Sequence, residues 1–298
     1  MSKILTIIVS YNFIPWMEKC LNSVISSEYK TDILVIDNNS SDKTTDIIRQ
    51  KYPSVQLIEN KQNYGFGKAN NIGIKKAIDE NYDYVFLLNQ DAWVEKNTIG
   101  VLVELAEKNR DYAILSPVHM NGSVREKIIW RGFSNYTGLK NLDDYASLRS
   151  VPFISAAIWL LPVPSIRRIG MFSPLFYHYG EDKDYANRVI YYKYKIGYTT
   201  KALAYHDCDK ETSYKKRMWI IRTYHLSEYA NINYSFIKGV AYGPLAVIKK
   251  ALISLFKFNI IDFKEYIRML SFLVYKTHKV IKTRKISKNV NLENYYVE

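Results

Sequence analysis

The sequence predicts an α/β protein: a mostly parallel sheet with helices on both faces, extended by a basic helical C-terminal region. Two observations carry that prediction. Over residues 4–108 an apolar, β-branched run alternates four times with a stretch of helical periodicity, across short connections. From residue 218 to 285 the spacing is helical throughout, and the charged positions are mostly Lys and Arg.

The elements follow in order. Residues 4–9 (ILTIIV) read as a buried strand, and 14–27 as a helix with Trp16, Leu21 and Val24 on one face. A second strand, 32–36 (DILVI), ends in DNNSSD, where Ser40 and Ser41 are N-cap candidates for a helix over 42–51. Residues 55–58 and 82–88 give the third and fourth strands, and 68–80 and 96–108 the third and fourth helices. The alternation then breaks. Residues 111–118 and 151–162 read as strands joined by a polar loop, 119–150, and YHYGEDKDYANRV (177–189) leads into a helix. The expected division is an α/β domain over 1–230, with halves 1–110 and 111–230, and a helical region over 231–298.

Composition narrows the classes. With 298 residues, 48% hydrophobic and 24% charged, the chain can bury a large core. Cys20 and Cys208 are too few and too scattered for a disulfide framework or a zinc site. MSKILTIIVSYN reads as a first strand and not as a signal peptide. No run reaches the roughly 20 uninterrupted apolar residues of a membrane span, and a cytoplasmic location is expected. Of the net charge of +13, ten units fall in residues 238–288, with twelve Lys or Arg against two acidic residues. The interleaved Leu, Ile and Phe of AVIKKALISLFKF (246–258) favour an amphipathic helix at an anionic membrane surface over a nucleic-acid arm. A helical layer packed on the main domain satisfies the same pattern.

In open α/β sheets ligands bind beyond the carboxyl ends of the strands. Here those ends read SYN (10–12), DNNSSD (37–42), ENKQNYGFG (59–67) and NQDAWV (89–94), all polar. The last raises a physical question, because a carboxylate closing a buried strand loses hydration at high cost unless a cation meets it.

Laid side by side, these segments resemble glycosyltransferase family 2, inverting nucleotide-sugar transferases with the GT-A fold, a Rossmann-like nucleotide-sugar-binding sheet. The resemblance runs through TIIVSYN, VIDNNSSD, NYGFGKANNIG, LLNQDAWV and YGEDKDYANR to YHD at 205–207. LNQD and GEDKD look most like the bacterial rhamnosyltransferase branch.

The resemblance implies roles for these residues. A uracil or thymine ring presents an N3–H between two carbonyls, which suits Asp37 flanked by amide groups and the backbone near Tyr11. Ser10, Tyr11, Asn12, Asn63, Gly65, Lys68, Asn70, Asn89 and Gln90 complete the expected donor site. NYGFGKANNIG lacks the third glycine of a dinucleotide fingerprint and follows the third strand, so Gly65 is expected to bring backbone close to the nucleotide instead. A D-x-D-like element holds the family's metal. Here the corresponding residues are Asn89, Gln90 and Asp91, which leaves Asp91 as the carboxylate for Mg²⁺ or Mn²⁺, with His206 completing the site. Inversion needs one base to take the acceptor proton, and the family's acidic pair maps onto Glu181 and Asp182, with Asp182 as base. Asp184 positions the acceptor or pairs with Arg188, four residues on. The expected partners are a dTDP- or UDP-linked donor, a saccharide acceptor carried on a lipid, and an anionic membrane surface, without nucleic acid. Two other readings share these features: a transferase to polyprenyl phosphate, and a silent domain of this fold that binds sugar or a partner.

Overall fold

The computed structural model describes residues 1–124, 127–142, 148–207 and 212–295; Cys208 lies outside them. The chain opens as expected with β1 (Ile4–Ser10), α1 (Ile14–Ile25), β2 (Asp32–Asp37), α2 (Thr44–Lys51), β3 (Gln56–Glu59), α3 (Phe66–Asp79) and β4 (Tyr84–Leu88). The strand alternation explains why these segments fold this way. Leu5, Ile7, Leu34 and Ile36 pack on one face against Ile74 and Ala77 of α3. Ile4, Ile8, Ile33 and Val35 pack on the other against Met17, Leu21 and Val24 of α1. Both faces are covered, so the strands read as nearly continuous apolar runs.

The rest of the α/β part is β5 (Ala92–Val94), α4 (Thr98–Lys108), β6 (Tyr112–Asn121), α5 (Arg131–Thr137), β7 (Arg149–Ser150), β8 (Ile158–Pro162), α6 (Val163–Ile169), α7 (Glu181–Tyr191) and β9 (Lys195–His206). One sheet of nine strands runs β3-β2-β1-β4-β8-β6-β9-β5, with β7 on β9. Pairing is parallel over β3-β2-β1-β4 and between β6 and β9. β8 is antiparallel to β4 and β6, and β5 and β7 are antiparallel to β9. The parallel character expected of the whole sheet thus belongs to its first half, and the second half is mixed. The strand expected over 151–162 is confined to 158–162, the loop expected over 119–150 contains α5, and β9 has no counterpart in the sequence reading.

The helical region comprises α8 (Tyr214–Ala230), α9 (Phe236–Val240), a π-helical turn (Ala241–Leu245), α10 (Ala246–Phe256) and α11 (Ile260–Lys288). Met218, Leu226 and Tyr229 of α8 share a core with Val247 of α10 and Met269, Leu273 and Val280 of α11. The buried Arg284 donates to the carbonyls of Asn231 and Tyr234 (2.6 Å to the latter), closing the end of α8. Tyr295 then returns to the main core and is 1% exposed. It packs over Gly170 (φ +88), where a Cβ would stand 2.6 Å from its ring. The layer is therefore stitched onto the sheet domain at both ends.

Phe236–Phe256 forms one 21-residue helix of mean hydropathy 1.4, long and apolar enough to cross a membrane by length and composition. That corrects the expectation that no segment reaches span length, because the helix runs on through Lys238, Lys249 and Lys250.

Candidate active site

The four strand ends converge through a chain of hydrogen bonds. Asn38 N donates to Ser10 O at 2.7 Å, and Asn60 N to Asp37 O at 2.9 Å. Asp37 is 2% exposed; its Oδ1 accepts from the Ser10 (2.9 Å) and Ser40 hydroxyls, and its Oδ2 from Ser40 N at 2.8 Å. Asn38 continues the chain, donating to Gly65 O at 3.1 Å and accepting from Asn60 Nδ2 at 2.9 Å. Gln90 clamps the Tyr11 peptide from both sides, accepting from its N–H at 2.7 Å and donating to its carbonyl at 3.1 Å. The Tyr11 side chain is left 47% exposed on a fixed backbone, so little conformational entropy would be lost when a base packs on it.

Several expected donor contacts lie elsewhere. Ser10 is fully buried behind Asp37, because the last residue of β1 alternates into the sheet. Asn12, at φ +51, spends its Oδ1 on Ser41 N–H and Oγ–H (3.0 and 3.3 Å). Asn70 is 1% exposed and donates to Phe66 O within its own helix. Gly65 does permit a close backbone approach, but the neighbour is Tyr177: at φ +79 a Cβ would lie 1.9 Å from the Tyr177 carbonyl oxygen. Tyr177 also donates to Asn63 O and Oδ1 at 3.3 Å, tying the third loop to the aromatic segment before α7. Lys68 is half-buried and makes no ion pair among the described residues.

Asp91 and His206, 115 residues apart, meet with Oδ1 and Nε2 3.2 Å from each other. β5 brings them together, since Ala92 pairs with His206 across the antiparallel ladder, and Asp207 N donates to Asp91 O at 2.9 Å. Asn89 Nδ2 is 3.5 Å from the same imidazole nitrogen, and Asn89 Oδ1 is buried with no partner. Two ligands at about 2.1 Å in octahedral geometry stand about 3 Å apart, so the observed separation suits one divalent cation. An orphaned amide oxygen beside them is a third hard donor. Among the described residues no group of three or more His, Cys, Asp or Glu converges; the donor set fits a cation completed by phosphate oxygens and water. Asp207 is turned away, accepting from Trp16 Nε1 (2.8 Å) and Ser123 Oγ (2.7 Å) at an adjoining cleft.

The acids of α7 separate into distinct tasks. Asp184 is 3% exposed and pairs with Arg188 (Oδ2–Nε 2.9 Å), whose guanidinium also donates to Ile169 O and Met171 O. It is a structural residue, and the expected pairing with Arg188 is the one observed. Removing one partner of such a buried pair strands the other charge, so Arg188→Ala should cost about 3–5 kcal/mol in urea unfolding; a loss under about 1 kcal/mol would make the pair incidental.

Asp182 is half-buried at the N-terminus of α7. Burial raises its carboxyl above the ordinary value, opposed by hydrogen bonds from the Lys183 and Ala156 backbone. Ala157, next in that strand lead-in, accepts from Asn89 N at 2.9 Å. The segment Ala156–Ala157 therefore bonds the Asp182 carboxyl at one residue and the Asn89 backbone at the next. Sequence reading missed this bridge, because its run of small residues (SAAI) looked like ordinary strand.

Glu181 is 4% exposed with Oε2 unpartnered, and burial together with the Asp182 charge pushes it up to about 8. A carboxyl raised on folding contributes stability that is complete below its unfolded value of about 4.3 and is lost as pH rises through about 8. Glu181→Gln should therefore gain on wild type as pH rises, by roughly 2–4 kcal/mol between pH 4.5 and 9. Urea unfolding at both pH values measures this, and a difference that does not change with pH would contradict it.

Comparison with known proteins agrees with this fold. Residues 6–170 match the glycosyl transferase family 2 sequence profile. Glycosyltransferase GlyA of Streptococcus pneumoniae is 24% identical over 216 residues, 67% of this chain and 30% of that protein. The chain spans about a third of the length of the curated relatives it first matches. S. aureus TarS superposes with a TM-score of 0.61 at 14% identity, over 98% of this chain and 54% of its own. The mannosyltransferase PcManGT of Pyrobaculum calidifontis, solved with GDP-Man and Mn²⁺, superposes at 0.58 and 15% identity, over 96% and 87%. By fold and by sequence over more than half its length, the chain belongs to glycosyl transferase family 2.

Proposed function

We propose that the protein is an inverting glycosyltransferase that moves a sugar, rhamnose first among candidates, from a dTDP- or UDP-linked donor to a saccharide hydroxyl. The observation that supports this reading is the bridge at Ala156–Ala157, where one residue bonds Asp182 and the next accepts from Asn89, two residues before the Asp91 that meets His206. A departing nucleoside diphosphate gains charge on its terminal oxygen, and a divalent cation at Asp91 and His206 offsets that charge. Asp182 faces the acceptor side and takes the hydroxyl proton. A polyprenyl-phosphate acceptor is already an anion and would leave Asp182 without work.

A pyrimidine N3–H would use the acceptor capacity left on Asp37 Oδ2, which takes one donor from the chain. TarS has been solved with UDP-GlcNAc and PcManGT with GDP-Man, so the preference for a pyrimidine rests on Asp37. The reaction would serve bacterial surface polysaccharide assembly, with a lipid-linked acceptor, the enzyme at the inner face of the cell membrane and the basic helical region beside the lipid. The test is donor hydrolysis across dTDP-, UDP- and GDP-sugars with Mg²⁺ or Mn²⁺. Turnover of a pyrimidine donor is expected; turnover of GDP-sugars alone would overturn the base assignment. No turnover of any donor, with nucleotide still bound, would favour a silent binding domain.

A further inference from the structure

The helical layer ends in a surface that its own packing does not use. Between α10 and α11, every residue from Leu255 to Ile261 is exposed: Leu255, Phe256, Lys257, Phe258, Asn259, Ile260 and Ile261. Phe256 is 80% exposed, Phe258 89% and Ile261 70%. From Leu245, the last residue of the π-helical turn, along α10, the half-exposed Leu245, Ile248, Leu252 and Leu255 continue this surface at helical spacing, while Val247, Ala251 and Ser254 face the α8–α11 core. An apolar ridge with a bulky tip is not what an aqueous helix face selects.

The turn itself adds a second observation. Phe258 sits at φ +54, a left-handed conformation that Gly or Asn adopts freely and a bulky aromatic does not. The chain keeps a large ring where folding alone favours a small residue.

The charges around the ridge indicate what covers it. Lys249, Lys250, Lys257 and Lys264 are all exposed around the tip, against one acidic residue, Asp262, in 249–264. Asp262 accepts from Tyr214 and Asn259 and so is occupied at the turn. Apolar side chains ringed by lysines match the acyl boundary and the phosphate layer of an anionic bilayer. A transmembrane course for Phe236–Phe256 fits less well, because Gly243, Pro244, Val247 and Ala251 are buried against α8 and α11.

We infer that the α10–α11 turn is a membrane-docking wedge, with Phe256, Phe258 and Ile261 entering the acyl boundary of an anionic leaflet and the surrounding lysines engaging its phosphates. This extends the reading that the acceptor is lipid-linked, and its test reads lipid binding apart from transfer. The full-length protein is sedimented with vesicles of phosphatidylcholine containing 30% phosphatidylglycerol (roughly the charge density of an anionic leaflet). The comparison is with a variant carrying Phe256→Ser, Phe258→Asn and Ile261→Ser, three exposed positions, with Asn suited to the left-handed turn. Wild type should bind, with affinity falling as salt rises, and the variant should bind at least tenfold more weakly with unchanged circular dichroism and nucleotide binding. Lys249→Glu with Lys257→Glu should weaken binding to anionic vesicles and abolish its salt dependence. Equal pelleting of wild type and apolar variant, or none by wild type, would overturn the wedge. So would a wild-type dimer, seen by analytical ultracentrifugation, that the apolar variant dissociates. Vesicle binding without donor turnover would leave the wedge standing and remove the proposed reaction instead.

Discussion

Replacing Asp182 with asparagine should lower sugar transfer by roughly 10²–10⁴-fold, the range for a lost general base. Donor and metal binding should stay close to wild type, because the side chains that meet at His206 are Asp91 and Asn89. Burial raises its carboxyl above the ordinary carboxylate range, which brings it nearer the value a base needs at neutral pH. The two measurements are transfer rate under saturating donor and calorimetric affinity for the nucleotide. Wild-type turnover in the variant would return the role of base to Glu181, which has one buried, unpartnered oxygen beside it. Asp184 is no longer available, since Arg188 holds it inside the core.

The first half of the fold was legible because its strands are buried on both faces and its helices carry a clear apolar stripe. The second half was less so, for physical reasons. β9 is long and its burial depends on three different partner strands, so neither strict alternation nor a continuous apolar run marks it. β8 was overextended because Val151–Ala157 is as apolar as a strand yet turns to build the bridge beneath Asp182.

The site shows a similar division. The family resemblance pointed to Asp91, His206 and Asp182, and the fold brings the first two into contact. It could not say which way each side chain turns. Ser10 and Asn70 lie in the right segments but face the interior. Gly65 needed a partner to explain it, and that partner, Tyr177, is 112 residues away and invisible to local pattern.

The second large effect is expected at Asp91. Asp91→Asn keeps the shape and the amide's ability to accept from His206, but removes the carboxylate that, among the described residues, meets His206. A divalent cation would then rest on neutral donors, so metal-supported nucleotide affinity should fall by 10-fold or more, a loss of about 1.4 kcal/mol or greater. His206→Ala should produce a smaller fall in the same direction, since phosphate oxygens and water can fill one vacated position. Thermal stability should change little in Asp91→Asn, whereas His206→Ala also removes a buried ring packed edge-on against Trp130 and should lower it.

The central claim is that the four strand ends form a nucleotide-diphosphate site completed by a cation at Asp91 and His206. The most direct test is calorimetric titration of UDP, dTDP and GDP into wild type and Asp91→Asn, each with Mn²⁺ and with chelator. Binding of a pyrimidine nucleotide that strengthens with Mn²⁺ in wild type, and does so no longer in Asp91→Asn, is the predicted result. Nucleotide affinity in wild type that is the same with Mn²⁺ and with chelator would contradict it.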